Sequence, residues 1–150
     1  MTNIFRDFQN EIGAILTSVT EAGHLPSGLS LERVTVEPPR DPSHGDLSTN
    51  AAMVLSKQAG RKPREIAELL QSQLAENSDV ETAEIAGPGF LNLRLTADRW
   101  RRELGTILST GTAYGSRPVG GDQSVSVEYV SADPTGPLHI GHCRGAVFGD

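Results

Sequence analysis

The sequence is poor in the features that mark several classes of protein. It has one cysteine in 150 residues, which excludes an internal disulfide framework and fits a reducing, cytoplasmic compartment. It has no apolar run long enough for a transmembrane helix, so no membrane partner is expected. The N-terminus lacks the apolar core of a signal peptide. A net charge of −6 argues against a simple basic nucleic-acid binder.

The few cationic residues are unevenly distributed along the chain. Eight of the thirteen lysines and arginines fall in two windows, 57–64 and 94–102. Solvated helix faces are the ordinary explanation of such windows. Phosphate contacts along an RNA backbone are the functional explanation.

Apolar periodicity predicts an α+β domain over residues 1–109, with about four helices and three strands. The predicted helices cover 3–22, 47–59, 63–76 and 97–109, and the predicted strands cover 31–37, 80–86 and 90–95. The apolar residues of the last helix fall on one side of it, at Trp100, Leu104, Ile107 and Leu108.

Several residues are expected to delimit these elements. Helix caps are predicted at Asn3 or Thr2 for the first helix, at Asp46 for the second and at Thr96 for the fourth. Pro63 suits the first turn of the third helix. The tripeptide 87–89, Gly-Pro-Gly, is typical of a hairpin turn between the last two strands.

The C-terminal stretch has a different pattern. Residues 110–123 are glycine-rich and without periodicity, which indicates a linker. In 124–150, the β-branched run 125–130 predicts a buried strand, and a Gly/Pro turn leads to a helix that opens with His-Ile-Gly-His. A helix N-terminus after such a turn can bind phosphate, with His139 and His142 on one face beside it. Gly141 would leave a gap in which a flat base could lie.

The string SADPTGPLHIGHCRGAVFGD, residues 131–150, resembles the ATP-binding signature of class I aminoacyl-tRNA synthetases, in the form that arginyl-tRNA synthetases carry. The resemblance implies that 124–150 begins a Rossmann-type parallel α/β catalytic domain, of which the chain holds only the first strand, turn and helix start. No lysine-rich second signature is present. The chain is therefore expected to be an N-terminal fragment of an arginine–tRNA ligase, truncated and inactive by itself.

The resemblance also implies partners. The complete enzyme would be a cytoplasmic monomer that uses ATP, L-arginine and tRNA(Arg) in protein biosynthesis. Mg²⁺ would accompany the nucleotide without being bound by the protein. No protein metal site is predicted, because His139, His142 and Cys143 lack a further ligand at suitable spacing.

The resemblance assigns roles to residues of the C-terminal stretch. His139 and His142 would be the catalytic residues, and ATP would be bound by Leu138, His139, Gly141 and His142. The motif region comprises Ala132, Asp133, Pro134, Thr135, Gly136, Pro137, Leu138, His139, Ile140, Gly141 and His142. The amino acid would be bound by Glu128, Ser131, Asp133 and His142.

Two of these residues carry a specific chemical expectation. Glu128, on a strand buried on both faces, would pair with the substrate guanidinium, which a carboxylate binds bidentately. Asp133 departs from the family, which usually has asparagine there. It keeps an acceptor for the α-ammonium but loses the donor.

Phe90 and Asn92 lie at i and i+2 of a predicted strand and hence on one face. An aromatic ring that stacks a base beside an amide that reads its edge is a common way to recognise single-stranded RNA. The family resemblance implies that these positions bind the D-loop of tRNA. A core phenylalanine beside a surface asparagine is the ordinary alternative.

Two other functions remain open from the residues alone. An HxGH nucleotidyltransferase would share the histidine motif, although 138 residues precede it here. A stand-alone RNA-binding module would need only residues 1–109.

Overall fold

The chain divides into two units, Met1–Ser116 and Arg117–Asp150. The structure is a computed structural model, and it describes residues 3–116, 121, 123–133 and 135–150. The boundary between the units lies inside the stretch 110–123. Thr2 and Pro134 lie outside the described residues, so the predictions made for them stay predictions.

Over residues 3–116 the first unit has four α-helices, two short 3₁₀ helices and four strands. The helices are α1 (Ile4–Glu21), α2 (Ala51–Ala59), α3 (Pro63–Leu74) and α4 (Ala97–Thr110). The strands are β1 (Val36–Glu37), β2 (Leu47–Thr49), β3 (Val80–Ala86) and β4 (Phe90–Leu95). The 3₁₀ helices are Pro42–His44 and Gly111–Ala113.

The four strands form one antiparallel sheet in the order β1-β2-β4-β3. Side chains alternate along β4, and Leu91, Leu93 and Leu95 are buried in the core with apolar residues of α1, α2 and α3. The alternate residues of β4, Phe90, Asn92 and Arg94, lie on the opposite side of the strand, called the outer face below. The sheet therefore buries one face under helices and carries an aromatic, an amide and an arginine on the other.

Much of the element assignment is confirmed. The Asn3 side chain caps α1 by accepting a hydrogen bond from the Arg6 amide at 3.0 Å, and Thr96 caps α4 by accepting one from the Arg99 amide at 3.3 Å. Pro63 opens α3, and the hairpin strands have the predicted bounds. The prediction of four helices in this unit is correct.

The predicted helix 47–59 is wrong at its start, because Leu47–Thr49 is the strand β2, paired on both sides with β1 and β4. Asp46 does not cap a helix. Its carboxylate accepts a hydrogen bond from the Leu95 amide at 2.8 Å and so secures β4. Pairing with distant strands overrides the helical spacing of 47–59, and the sheet has four strands instead of three.

The predicted strand 31–37 is also too long, since only Val36–Glu37 pairs with β2. The Val34 amide donates to the Leu31 carbonyl at 3.0 Å, which turns the chain and ends extended structure there. The Asn50 side chain then fixes this segment by accepting from the Thr35 amide at 2.9 Å.

Helix α4 is attached through charged residues. Its apolar residues Trp100, Leu104, Ile107 and Leu108 are exposed, whereas Arg99 and Glu103 are its buried residues. The Arg99 guanidinium bonds Glu103 and Asp7 at 2.9 Å each. Asp79 lies 3.7 Å from it. A hydrogen bond from the Tyr114 hydroxyl also reaches Glu103.

The second unit contains α5 (Ile140–Gly149). The predicted strand 125–130 is not formed, and these residues are exposed without a paired strand in the described chain. A parallel strand needs neighbours on its hydrogen-bonding edges, and residues 123–133 and 135–150 supply none. No helix in the described part of the chain is both long and apolar enough to cross a membrane.

Candidate functional site

A groove of about 710 Å³ lies beside the outer face of the sheet. Phe90 and Asn92 both line it, with exposed fractions of 40% and 7%. The structure therefore brings the two predicted RNA contacts together in one concave site. The other lining residues are mainly polar and come from distant segments: Thr35, Glu37, Pro38, Pro39, Arg40, His44, Ser48, Thr49, Asn50, Ala86 and Gly87.

Strand register aligns a polar row across the middle of the outer face. Ser48 of β2 stands opposite Asn92 of β4, and Glu37 of β1 stands opposite Ser48. On the other side of β4, Glu84 stands opposite Asn92. Neutral hydrogen-bonding groups thus occupy the centre of the row, and a carboxylate lies at each end.

Gly45 holds the loop 42–44, which includes the groove residue His44, against β4. Its φ is +120°, and a Cβ there would lie 2.6 Å from the Leu93 carbonyl oxygen, so a larger residue does not fit. The next amide, of Asp46, donates to that same carbonyl at 2.8 Å. This turn places His44 on the groove wall, and the Ser43 carbonyl accepts a hydrogen bond from Arg94 at 3.2 Å.

Gly89 makes a similar close approach beside Phe90. Its φ is +150°, and a Cβ there would lie 2.7 Å from the Pro63 Cβ. The hairpin turn next to Phe90 therefore packs directly on the first residue of α3. That contact holds the aromatic ring on a fixed backbone.

The groove presents the kinds of group that bind a planar base. Phe90 offers a partly exposed ring on which a base can stack, a contact that accepts any base. Asn92 offers an amide with donors and an acceptor, and no hydrogen bond of its side chain is recorded within the described residues. A half-exposed ring beside an unengaged amide is suited to an unpaired nucleotide of an RNA loop.

Several of these lining residues were not predicted from the sequence. Arg40, Ser48 and Asn50 carried no signal because their position depends on strand pairing across the sheet. His44, to which the sequence analysis assigns no binding role, also lines the groove. Its neighbour Asp41 accepts hydrogen bonds from Ser43, which hold the pKa of the Asp41 carboxyl below its usual value.

The histidine motif forms the start of α5. The His139 and His142 rings are stacked, with centroids 3.9 Å apart. His139 Nδ1 accepts a hydrogen bond from the Gly141 amide at 3.1 Å, and His142 Nδ1 accepts one from the His139 amide at 3.2 Å. Each neutral ring must then carry its proton on Nε2, so both rings keep one donor for a ligand.

Two expectations for this helix start differ from the structure. The backbone amides of His139 and Gly141 are bonded to the imidazoles, so they are not open to an anion in this arrangement. The gap expected at Gly141 is filled, since a Cβ there would lie 3.0 Å from the His139 ring. The Nε2 donors of the two histidines are therefore the groups that remain available to a ligand here.

The other predicted residues of this unit are not assembled around the histidines. Glu128, Ser131 and Asp133 are exposed, and no partner of their side chains is recorded within the described residues. Most of the motif is exposed as well, at Thr135, Gly136, Pro137, Leu138 and Ile140, and Ala132 is half-buried. The described residues contain no group of three or more His, Cys, Asp or Glu side chains that could hold a metal ion.

Comparison with known proteins decides the family. The profile described as "Arginyl tRNA synthetase N terminal domain" matches residues 6–95. The chain belongs to this family. The match runs from α1 to the end of β4, so the arginyl-tRNA synthetase N-terminal domain contains the groove with Phe90 and Asn92.

Individual relatives extend the similarity over the histidine motif. The arginine–tRNA ligase of Parvibaculum lavamentivorans is 60% identical over 148 residues, which cover 99% of this chain and 25% of the relative. That of Novosphingobium aromaticivorans is 59% identical with the same coverage. The chain thus spans about a quarter of the length of these relatives.

A solved structure supports the fold. The crystal structure of arginyl-tRNA synthetase from Plasmodium falciparum matches 71% of this chain and 19% of its own, with a TM-score of 0.52. Sequence identity is 18%, so this likeness concerns the fold alone.

Proposed function

We propose that the complete protein is an arginine–tRNA ligase, which activates L-arginine with ATP and transfers it to tRNA(Arg). The observation that carries the proposal is the 60% identity to an arginine–tRNA ligase over 148 residues, including the histidine motif and the groove. The 150-residue chain alone is expected to be inactive. The named relatives give no support to a nucleotidyltransferase.

In this proposal the first unit reads tRNA. Phe90 stacks an unpaired base of the D-loop, and the Asn92 amide reads the edge of that base. The half-exposed ring, the unengaged amide and the groove support this role. Base stacking on an aromatic ring contributes about 1–3 kcal/mol, enough to anchor one nucleotide.

The second unit would contribute to the ATP site in the same proposal. ATP supplies the phosphoanhydride that activates the amino acid, and Mg²⁺ accompanies it. His139 and His142 donate from Nε2 to phosphate, with Leu138 and Gly141 beside the nucleotide. The available Nε2 donors support this part. Residues 125–130 become the first strand of a Rossmann-type sheet when further strands pair with them, and Glu128, Ser131 and Asp133 then bind the amino acid.

We expect the complete enzyme to be a cytoplasmic monomer. Aminoacylation by this full-length enzyme tests the catalytic part of the proposal. Loss of one donor that stabilises developing charge typically lowers kcat about 100-fold or more, so His142→Ala should show a loss of that order. His24→Ala, at an exposed position after α1, is the matched control and should retain normal activity. Normal aminoacylation by His142→Ala would refute the phosphate role.

Binding of tRNA(Arg) to the 150-residue chain tests the proposed tRNA recognition by Phe90 and Asn92. Phe90→Ala should weaken binding about 5-fold to 150-fold, the equivalent of one lost stacking contact. Phe90→Tyr keeps a ring for stacking and should bind nearly as the parent does. Equal affinities for the parent and Phe90→Ala would remove the base-stacking role.

A further inference from the structure

The two cationic windows of the sequence separate into paired and unpaired residues in the structure. In the window 94–102, three arginines are engaged by carboxylates. Arg99 pairs with Asp7, Glu103 and Asp79, Arg101 with Asp98, and Arg102 with Asp79. No carboxylate partner of Arg94 is recorded within residues 3–116.

Arg94 is nevertheless held in place. Its guanidinium donates to the Ser43 carbonyl at 3.2 Å, and the side chain is exposed. A backbone carbonyl positions the guanidinium without neutralising its charge. Because a guanidinium has five donors, most of them remain available for a phosphate.

The location of Arg94 matches the groove. It follows Asn92 by two residues on the outer face of β4, which is about 7 Å along the strand. A guanidinium at the end of a long side chain can therefore reach the phosphate of a nucleotide whose base stacks on Phe90 and meets Asn92 at its edge.

A second group of cations is adjacent in sequence to the residue that the hairpin turn contacts. Gly89, next to Phe90, packs on Pro63, and Arg61 and Lys62 directly precede that proline. Both residues are exposed, and no carboxylate partner of either is recorded within residues 3–116. Cationic residues therefore lie next to the contact of the hairpin turn, where β4 begins, and at Arg94, towards its end.

The polar row across the middle of the outer face carries the opposite charge at its two ends. Glu37 and Glu84 are exposed at the two ends of the row that contains Ser48 and Asn92. Phosphates running along this row would meet carboxylates on both sides. Charge complementarity therefore favours a nucleic-acid backbone that follows β4 and disfavours one that crosses it.

We infer that Arg94 at one end, and Arg61 with Lys62 at the other, bind the phosphates on either side of the nucleotide seated in the groove. The backbone of the RNA loop then runs along β4, from the hairpin turn towards Arg94. The inference rests on the proposed function, because it takes the occupant of the groove to be an unpaired nucleotide of tRNA(Arg).

The salt dependence of tRNA(Arg) binding to the 150-residue chain tests this inference. Each phosphate contact in single-stranded RNA contributes about 0.7 to the slope of log K against log salt. Arg94→Gln should lower the magnitude of the slope by about 0.7, and the double variant Arg61→Gln/Lys62→Gln should lower it by about 0.7–1.4. Arg94→Lys keeps the charge and should keep the slope.

The controls separate this inference from the proposed function. Arg101→Gln removes an exposed cation that is already paired with Asp98 and should leave the slope unchanged. Phe90→Ala should lower affinity without changing the slope. Suppose that Arg94→Gln and Arg61→Gln/Lys62→Gln both keep the salt slope of the parent chain, while Phe90→Ala binds more weakly. That result would overturn the proposed phosphate contacts and leave the base-stacking role in place. Parental affinity for Phe90→Ala, or no binding by the parent chain, would overturn the proposed reading site and this inference with it.

Discussion

Replacement of Arg99 by methionine should destabilise the first unit strongly. Methionine keeps most of the aliphatic volume but removes the guanidinium that pairs with Glu103 and Asp7 at 2.9 Å. The side chains of Arg99 and Glu103 are 10% and 6% exposed, so Glu103 would be left as a buried carboxylate without a cation. Removing one partner of such a pair typically costs about 3–5 kcal/mol. That is a large fraction of the usual stability of a domain.

Urea unfolding measures this cost through the fluorescence of Trp100, the only tryptophan, which lies on the same helix. We expect the melting temperature to fall as well, by roughly 6–20 °C. Arg101→Met is the matched control, because its ion pair with Asp98 is 75% and 74% exposed and should contribute less than about 1 kcal/mol.

The double replacement Arg99→Met/Glu103→Leu should recover part of the loss, since it removes both charges. A loss below about 1 kcal/mol for Arg99→Met would refute the conclusion that buried charges attach α4.

Three further changes test other contacts. Burial raises the pKa of the Glu11 carboxyl above its usual 4.5, so stability from this group is present below pH 4.5 and is lost as pH rises through the raised value. Glu11→Gln should therefore be more stable than the parent chain towards urea at neutral pH, and equally stable near about pH 3. Equal stability at neutral pH would contradict the cost of burying the Glu11 carboxylate. Gly89→Ala should lower the free energy of unfolding by about 3 kcal/mol. Gly87→Ala, with open space around its Cβ, should lower it by about 1 kcal/mol in the same urea assay. Similar losses for the two variants would refute the close approach of Gly89 to α3. Glu84→Gln should increase the affinity for tRNA, and the increase should become smaller as the salt concentration rises. Unchanged affinity at low salt would refute the repulsion between Glu84 and phosphate.

Local patterns predicted the elements whose cause is local. Helix α1 follows from apolar spacing and the Asn3 cap, and the β3–β4 hairpin follows from its turn residues. The start of the predicted helix 47–59 was wrong because β2 is three residues long and exists only through pairing with two distant strands. The apolar residues of α4 are exposed and its buried contacts are ionic, which apolar spacing does not indicate.

The candidate site shows the same division. Phe90 and Asn92 could be placed on one face from the period of a strand. The groove around them could not be predicted, because tertiary structure brings Arg40, Ser48 and Asn50 to it from distant segments. The histidines were correctly placed at a helix start, whereas their use of Nδ1 to bond backbone amides depends on side-chain geometry.

The most direct test of the central claim is an NMR titration of the isotopically labelled 150-residue chain with tRNA(Arg), followed through backbone amide shifts. If the outer face of the sheet reads an unpaired nucleotide, the largest changes should occur at Ser48, Phe90, Asn92 and Arg94, with little change along α1. Saturable binding with the changes confined to α4 or α1, and none in β4, would contradict the account.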